Sequence, residues 1–263
     1  MKYKLIAADM DGTLLDDKKI ITPRNLAAIK KAMADGAIFA FSTGRPPVAV
    51  KPYRQIIGEN VPIIAYNGAM VVIGEDDIFF NQMLTKEQAT IILEHVRKYN
   101  TMACIWSKNQ LYVTELGARA DKYKINVMTE PVLFTEPDKI IEQGITKFLW
   151  YDTAERTALF RQELAEPFGK LGITVCPSTS EYLEFFSSNV SKALSLERLA
   201  KHYGIKREEI IAFGDNFNDL EMIEYAGLGV AMQNAPDGVK AAADFVTVSN
   251  NEDGITYVLE KFF

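Results

Sequence analysis

Residues 5–13 read Leu5-Ile6-Ala7-Ala8-Asp9-Met10-Asp11-Gly12-Thr13: an apolar run that ends abruptly in two carboxylates, a glycine and a hydroxyl. A short buried strand normally gives way to turn residues. Two carboxylates at its mouth are costly unless a metal ion or hydrogen bonds compensate them. Their i, i+2 spacing puts both near one side of an extended chain. Gly12 lets the backbone turn where a β-carbon would clash. The pattern suits a magnesium site with a carboxylate nucleophile, because hard cations take oxygen ligands and an Asp can carry a phosphoryl group. An isolated Asp-x-Asp-Gly is also an ordinary turn after a strand, so the remaining chain has to decide.

The first third alternates strand and helix. Thr22-Pro23 supplies an N-cap and an N1 proline, Leu26, Ile29 and Met33 follow at helical spacing, and Gly36 closes the helix. Residues 37–41 and 61–66 hold further strands, and Asn67-Gly68 predicts a tight hairpin into residues 70–73. Such alternation implies right-handed crossovers and a parallel sheet. Near residue 82 the rhythm changes. Thr85-Lys86-Glu87-Gln88 is a capping box, a second helix is predicted over 154–165, and strand-like runs follow at 102–106, 111–114, 147–151, 173–176 and 182–186. That is a small α+β module with two or three helices. From Ser191 the alternation returns, with helices over 191–203 and 219–226 and strands over 210–213, 228–232 and 245–248. The expectation is an α/β core, residues 1–82 and 188–263, with an inserted α+β module over 83–187. Insertion into a surface loop is thermodynamically tolerable.

Composition narrows the function classes. The 263 residues are 48% hydrophobic and 24% charged, as in ordinary globular proteins. Net charge is −6 and no basic block occurs, which argues against nucleic-acid binding. The apolar stretch before Asp9 is too short for a signal-peptide core or a membrane span. Cys104 and Cys176 are isolated thiols with no Cys-x-x-Cys pair, so the expected setting is reduced and cytoplasmic. His95 and His202 sit in helix-like segments far from the acidic motifs, which disfavours a His-based triad or a zinc site.

Three further motifs carry chemistry. Phe39-Ala40-Phe41-Ser42-Thr43-Gly44-Arg45 ends a strand in a hydroxyl and backbone N–H groups that can donate to phosphoryl oxygens. Lys192 opens a helix, where a cation opposes the dipole unless an anion lies nearby. Ile210-Ile211-Ala212-Phe213-Gly214-Asp215-Asn216-Phe217-Asn218-Asp219 is another buried strand ending in carboxylates. In a parallel α/β sheet the strand carboxyl ends meet at one crevice, so Asp9, Asp11, Thr43 and Asp215 are expected to share a site. Carboxylates gathered there repel unless a divalent cation sits among them.

In this order, the four motifs resemble those of the haloacid dehalogenase-like phosphohydrolases over the whole chain. Only residues 16–20 separate the first motif from the first helix, and the insertion falls between the second and third motifs, which is similar to the Cof-type branch. The tails Val230-Ala231-Met232-Gln233-Asn234-Ala235 and Asn250-Asn251-Glu252-Asp253-Gly254 are similar too. Departures are small: Ala193 stands where Gly is common and Ser42 where Ala often is. The resemblance implies a Rossmann-like core with an α+β cap, Asp9 as nucleophile and Asp11 as acid and base. It implies Mg²⁺ held by Asp9, the Asp11 main-chain carbonyl and Asp215. Thr43, Gly44, Lys192 and Asn218 would hold the phosphoryl group, with Asn218 contacting phosphate or bracing Lys192. Asp219 would orient a metal-bound water or Lys192 from behind these, and Arg45 would contact substrate or pin its loop. The implied substrate is a small phosphorylated metabolite, foremost a sugar phosphate, with no nucleic-acid or membrane partner and a monomer or weak homo-oligomer. Trp106, Tyr112 and Tyr182 read as packing residues. A phosphotransferase or phosphomutase using the same nucleophile, or a phospho-ligand sensor, are the alternatives.

Overall fold

The computed structural model describes residues 2–75 and 77–263. Along the chain, β1 (Leu5–Ala8) leads to α1 (Pro23–Ala34), β2 (Ile38–Ser42), α2 (Pro47–Ile57), β3 (Ile63–Ala65), β4 (Met70–Ile73) and β5 (Asp77–Asn81). The middle of the chain adds α3 (Lys86–Tyr99), β6 (Met102–Ser107), β7 (Gln110–Val113), α4 (Ala118–Val127), β8 (Val132–Leu133) and α5 (Pro137–Gln143). It continues through β9 (Lys147–Tyr151), α6 (Ala154–Lys170), β10 (Ile173–Thr179) and β11 (Tyr182–Ser187). Last come α7 (Lys192–His202), β12 (Ile210–Gly214), α8 (Leu220–Tyr225), β13 (Leu228–Ala231), α9 (Asp237–Ala242), β14 (Phe245–Val246) and α10 (Gly254–Phe262). Packing divides these into two compact units, one of Met1–Gly44, Val50–Phe80 and Ser191–Phe263, the other of Arg45–Ala49 and Asn81–Val190.

The first unit is built on an eight-stranded sheet in the order β14-β13-β12-β1-β2-β3-β4-β5. Neighbours from β14 to β3 run parallel, while β4 returns antiparallel to β3. The four-residue link from β3 to β4 explains that reversal, since a parallel return needs a crossover of a dozen residues or more. Local signals set the helix starts. Thr22 Oγ1 accepts from the Asn25 N–H at 3.2 Å to open α1, and Thr85 and Gln88 form a reciprocal box at the start of α3. Leu5, Ala7, Ile210 and Ala212 pack against Leu196, Leu199 and Met222, which seats α7 and α8 on one face of the sheet. Each large apolar side chain buried this way contributes about 1.5–3 kcal/mol.

Register is what positions the site. Ala8 lies opposite both Phe213 of β12 and Phe41 of β2, so these three strands finish level. Asp9, Asp215 and Thr43 therefore leave the sheet along the same edge. The chain builds outward from β1 through β2 and β3 on one side and from β12 through β14 on the other. Ligands bind such sheets outside the strand carboxyl ends, where the winding direction switches.

The second unit has a six-stranded sheet in the order β10-β11-β9-β6-β7-β8, antiparallel except for the β7–β8 pair. Ile105, Phe148, Trp150, Leu183 and Phe185 line one face and pack with Ile92 of α3 and Phe160 and Phe168 of α6. Trp106 is buried with its indole N–H donating to the Tyr123 hydroxyl at 3.1 Å, Tyr182 is buried, and Tyr112 meets Phe134 edge-on. Four helices occur here where two or three were expected. The polar α4 shows only Ala120, Tyr123 and Val127 to the interior, too sparse a stripe to read from sequence. Helix α6 continues through Pro167 to Lys170, beyond the predicted stop at 165.

Candidate active site

Asp9 continues β1 by one residue, its N–H donating to the Phe213 carbonyl at 3.0 Å. Lys192 reaches it from the first turn of α7. The ammonium donates to Asp9 Oδ1 and to Asp219 Oδ1, both at 2.6 Å, and its side chain is 0% exposed. Two carboxylates thus offset the unfavourable placement of a cation at a helix start. Ser191 caps the same helix, its Oγ accepting from the Leu194 N–H at 3.2 Å. The other oxygen of Asp219 accepts from the N–H groups of Asp215 and Asn216, each at 3.1 Å. With both oxygens engaged, Asp219 shapes the β12 loop and fixes Lys192.

Asp215 is held from the turn that follows β1. Thr13 Oγ1 donates to its Oδ1 at 2.7 Å, joining two segments 202 residues apart. Gly12, at φ +84°, permits this approach, since a β-carbon there would lie 2.5 Å from Asp215 Oδ2. One carboxylate oxygen each of Asp9, Asp215 and Asp219 fall within 4.8 Å of one another.

That crowding sets the electrostatics. Burial drives the Asp9 carboxyl well above the usual carboxylate range; Lys192 opposes this, while Asp219, Asp215 and Asp11 reinforce it. Asp215 is pushed up to about 6, first by burial, with Thr13 opposing and Asp219 reinforcing. Burial pulls the Lys192 ammonium down, but Asp219 and Asp9 outweigh it and the net direction is up. Closely set, oxygen-only donors that repel one another fit a hard divalent cation, and magnesium binds through one or two carboxylates with waters completing its shell. Because both oxygens of Asp219 already accept hydrogen bonds, Asp9 and Asp215 are better suited to direct contact.

This arrangement has a consequence for stability. The folded chain holds the Asp215 proton to about 6, against an ordinary 3.8. The stabilisation linked to that proton is complete below about pH 4 and is lost as pH rises through about 6. A cation among the carboxylates replaces the proton. Magnesium should therefore raise the Tm of EDTA-stripped protein more at about pH 7.5 than at about pH 5. Equal rises at the two pH values would show that the ion binds elsewhere.

The other expected residues are placed as follows. Asp11 is half-exposed, and its Oδ1 accepts from the Lys19 ammonium at 2.8 Å. Thr43 is buried, with its N–H on the Ile64 carbonyl at 2.8 Å and its own carbonyl taking the Asn67 N–H at 3.0 Å. Gly44 lies against Asn67, and Asn218 Nδ2 donates to Asn67 Oδ1 at 3.1 Å. Arg45 packs with the second unit and is not among the residues gathered in the first. Sequence reasoning assigned no role to Lys19, Asn67, Asn234 or Asn250. Asn234 Nδ2 donates to the Gly12 carbonyl at 2.8 Å and Asn250 Nδ2 to the Leu15 carbonyl at 3.0 Å, so both pin the loop that follows Asp9. Their signal in the sequence was the pair of Asn-containing tails.

Comparison with known proteins bears on this site. A profile of the haloacid dehalogenase-like hydrolases matches residues 6–259. The chain is 34% identical over 273 aligned positions to a putative phosphatase of Haemophilus influenzae, covering 100% of this chain and 99% of that one. It is 32% identical over 268 positions to the 5-amino-6-(5-phospho-D-ribitylamino)uracil phosphatase YitU of Bacillus subtilis, covering 100% and 98%. The crystal structure of a haloacid dehalogenase-like hydrolase from Bacteroides thetaiotaomicron superposes with a TM-score of 0.90 at 31% identity, covering 100% of both chains. Among the described residues, no helix is long and apolar enough to cross a membrane.

Proposed function

The chain belongs to the haloacid dehalogenase-like hydrolases and is a phosphoric monoester hydrolase, and from that premise we propose that it is a magnesium-dependent phosphatase of small phosphorylated metabolites, sugar and sugar-alcohol phosphates foremost. The observation that carries this reading is the Lys192 ammonium shared between Asp9 and Asp219 at 2.6 Å. It places a fixed positive charge against the carboxylate that leads out of the central strand.

In the proposed reaction a carboxylate oxygen of Asp9 attacks phosphorus in line as the ester P–O bond breaks, leaving an aspartyl-phosphate. Asp11 gives a proton to the departing oxygen. It then takes one from the water that attacks the acyl phosphate, releasing inorganic phosphate and restoring Asp9. Thr43, the Gly44 N–H, Lys192 and Asn218 hold the phosphoryl oxygens, and Arg45 contacts the substrate or pins its loop. Asp9, the Asp11 carbonyl and Asp215 are the groups assigned to magnesium, with Asp219 behind them. When bound, the ion supplies charge neutralisation among the carboxylates and on the transferring group.

The presence of an inserted α+β unit supports a small metabolite over a phosphoprotein as substrate. The name of the Bacillus subtilis relative supports a phosphorylated ribityl compound as one member of the substrate class. The test is phosphate release from a panel of small esters that includes sugar phosphates and 5-amino-6-(5-phospho-D-ribitylamino)uracil. Each is assayed with magnesium and with excess EDTA, against an Asp9→Asn blank. Release that ignores EDTA, or appears equally in the blank, would reject the reading.

The assignment of Asp11 has its own test. Asp11→Asn should slow alkyl phosphates, whose leaving oxygens need a proton, about 10²–10⁴-fold, and aryl phosphates much less. Equal losses for the two ester types would remove Asp11 from the acid role.

A further inference from the structure

The link between β3 and β4 carries backbone strain that a four-residue connection does not require. Tyr66, Asn67 and Gly68 take φ values of 51°, 55° and 99° in succession. Gly68 does so freely and Asn67 at modest cost, but a bulky aromatic in the left-handed region is a rare conformation that persists only when its surroundings enforce it. Tyr66 is wholly buried, so this turn is clamped in place.

Its contacts run to three separate segments of the proposed phosphoryl site. The Asn67 N–H donates to the Thr43 carbonyl at 3.0 Å. Asn67 Oδ1 accepts from Asn218 Nδ2 at 3.1 Å across 151 residues of sequence. The Gly68 carbonyl accepts from Ser195 Oγ of α7 at 2.6 Å, and a β-carbon at Gly68 would lie 2.2 Å from the Ser191 carbonyl, directly before Lys192. Asn218 itself is exposed, on a single 3₁₀ turn of Phe217–Asp219. An exposed amide there would sample several rotamers, and its bond to the buried Asn67 selects one.

We propose that Asn67 is a positioning residue of the phosphoryl site: its side chain orients the Asn218 amide while its backbone N–H holds the Thr43 strand end. This rests on the phosphatase reading for the identity of the anion. Glycine at this position adopts the same left-handed backbone without strain, so Asn67→Gly removes the side chain alone.

The experiment is a double-mutant cycle of Asn67→Gly and Asn218→Ala, with orthovanadate as the phosphoryl-like probe. Vanadate binding to the intact, magnesium-loaded protein is measured by calorimetry beside Tm. Asn67→Gly should weaken vanadate about 3–10-fold, the worth of one oriented hydrogen bond. Asn218→Ala should do the same, and the double variant should be no weaker than Asn218→Ala alone, because the first change acts through the second residue. Tm should stay within a few degrees of wild type. Vanadate binding unchanged in Asn67→Gly, or losses that multiply in the double variant, would overturn the proposal. A wild type that binds vanadate yet hydrolyses no ester would instead defeat the phosphatase reading and leave the Asn67 cycle readable.

Discussion

Asp9→Asn is expected to remove turnover while the fold stays intact, a fall in kcat on the order of 10⁵–10⁶, as when other covalent enzymes lose their nucleophile. An amide oxygen does not displace an alkoxide at phosphorus, yet it keeps the shape of the carboxylate and an acceptor for the Lys192 ammonium at Oδ1. Burial, with Asp219, Asp215 and Asp11 nearby, disfavours the charged form of Asp9. A neutral side chain there relieves that repulsion, so the Tm of the metal-free variant should match or exceed wild type. Activity lost without stability lost is the pattern to look for. Phosphate release by the variant above about 1% of wild type would exclude Asp9 as nucleophile.

The parts legible in sequence are those that break a physical rule locally. Asp9, Asp11 and Asp215 stand out because a carboxylate at the end of an apolar strand is expensive and therefore conspicuous. The helix starts at Thr22 and Thr85 were readable because capping is written within four residues. Strand β5 was not, since Ile78 and Phe79 point outward at 54% and 39% exposure and give no inward alternation. The inside of the site was harder for a different reason. Asn67-Gly68 announced a turn, and a turn exists there, but its partner Asn218 is set by tertiary folding and leaves no local mark. Asn250 stands in a conspicuous tail, but its partner, the Leu15 carbonyl 235 residues away, is likewise set by tertiary folding. Carboxylates at strand ends are conspicuous in one sequence, whereas the residues that hold them still are found only when the strands are laid side by side.

Lys192 tests whether that chemistry and the packing can be separated, and Lys192→Met is expected to damage both. Its side chain is 0% exposed between carboxylates that are 10% and 1% exposed. Removing one member of a buried ion network leaves charges without a partner, which costs about 3–5 kcal/mol. Urea unfolding of metal-free protein should show a loss of that size. In turnover, the missing ammonium would have met charge developing on the transferring phosphoryl group, and one such donor is worth about 10²–10³ in kcat. The two effects are told apart by normalising rates to the folded fraction. A variant that regains wild-type kcat after that correction would make Lys192 a structural cation alone. The pH profile adds an independent check. Burial raises the Asp9 carboxyl and Lys192 lowers it, while the neighbouring carboxylates raise it further. Without the ammonium, Asp9 keeps its proton to higher pH, so the acid limb of the rate profile should move upward. A limb that stays in place would mean that ionisation of Asp9 does not govern the rate on that side.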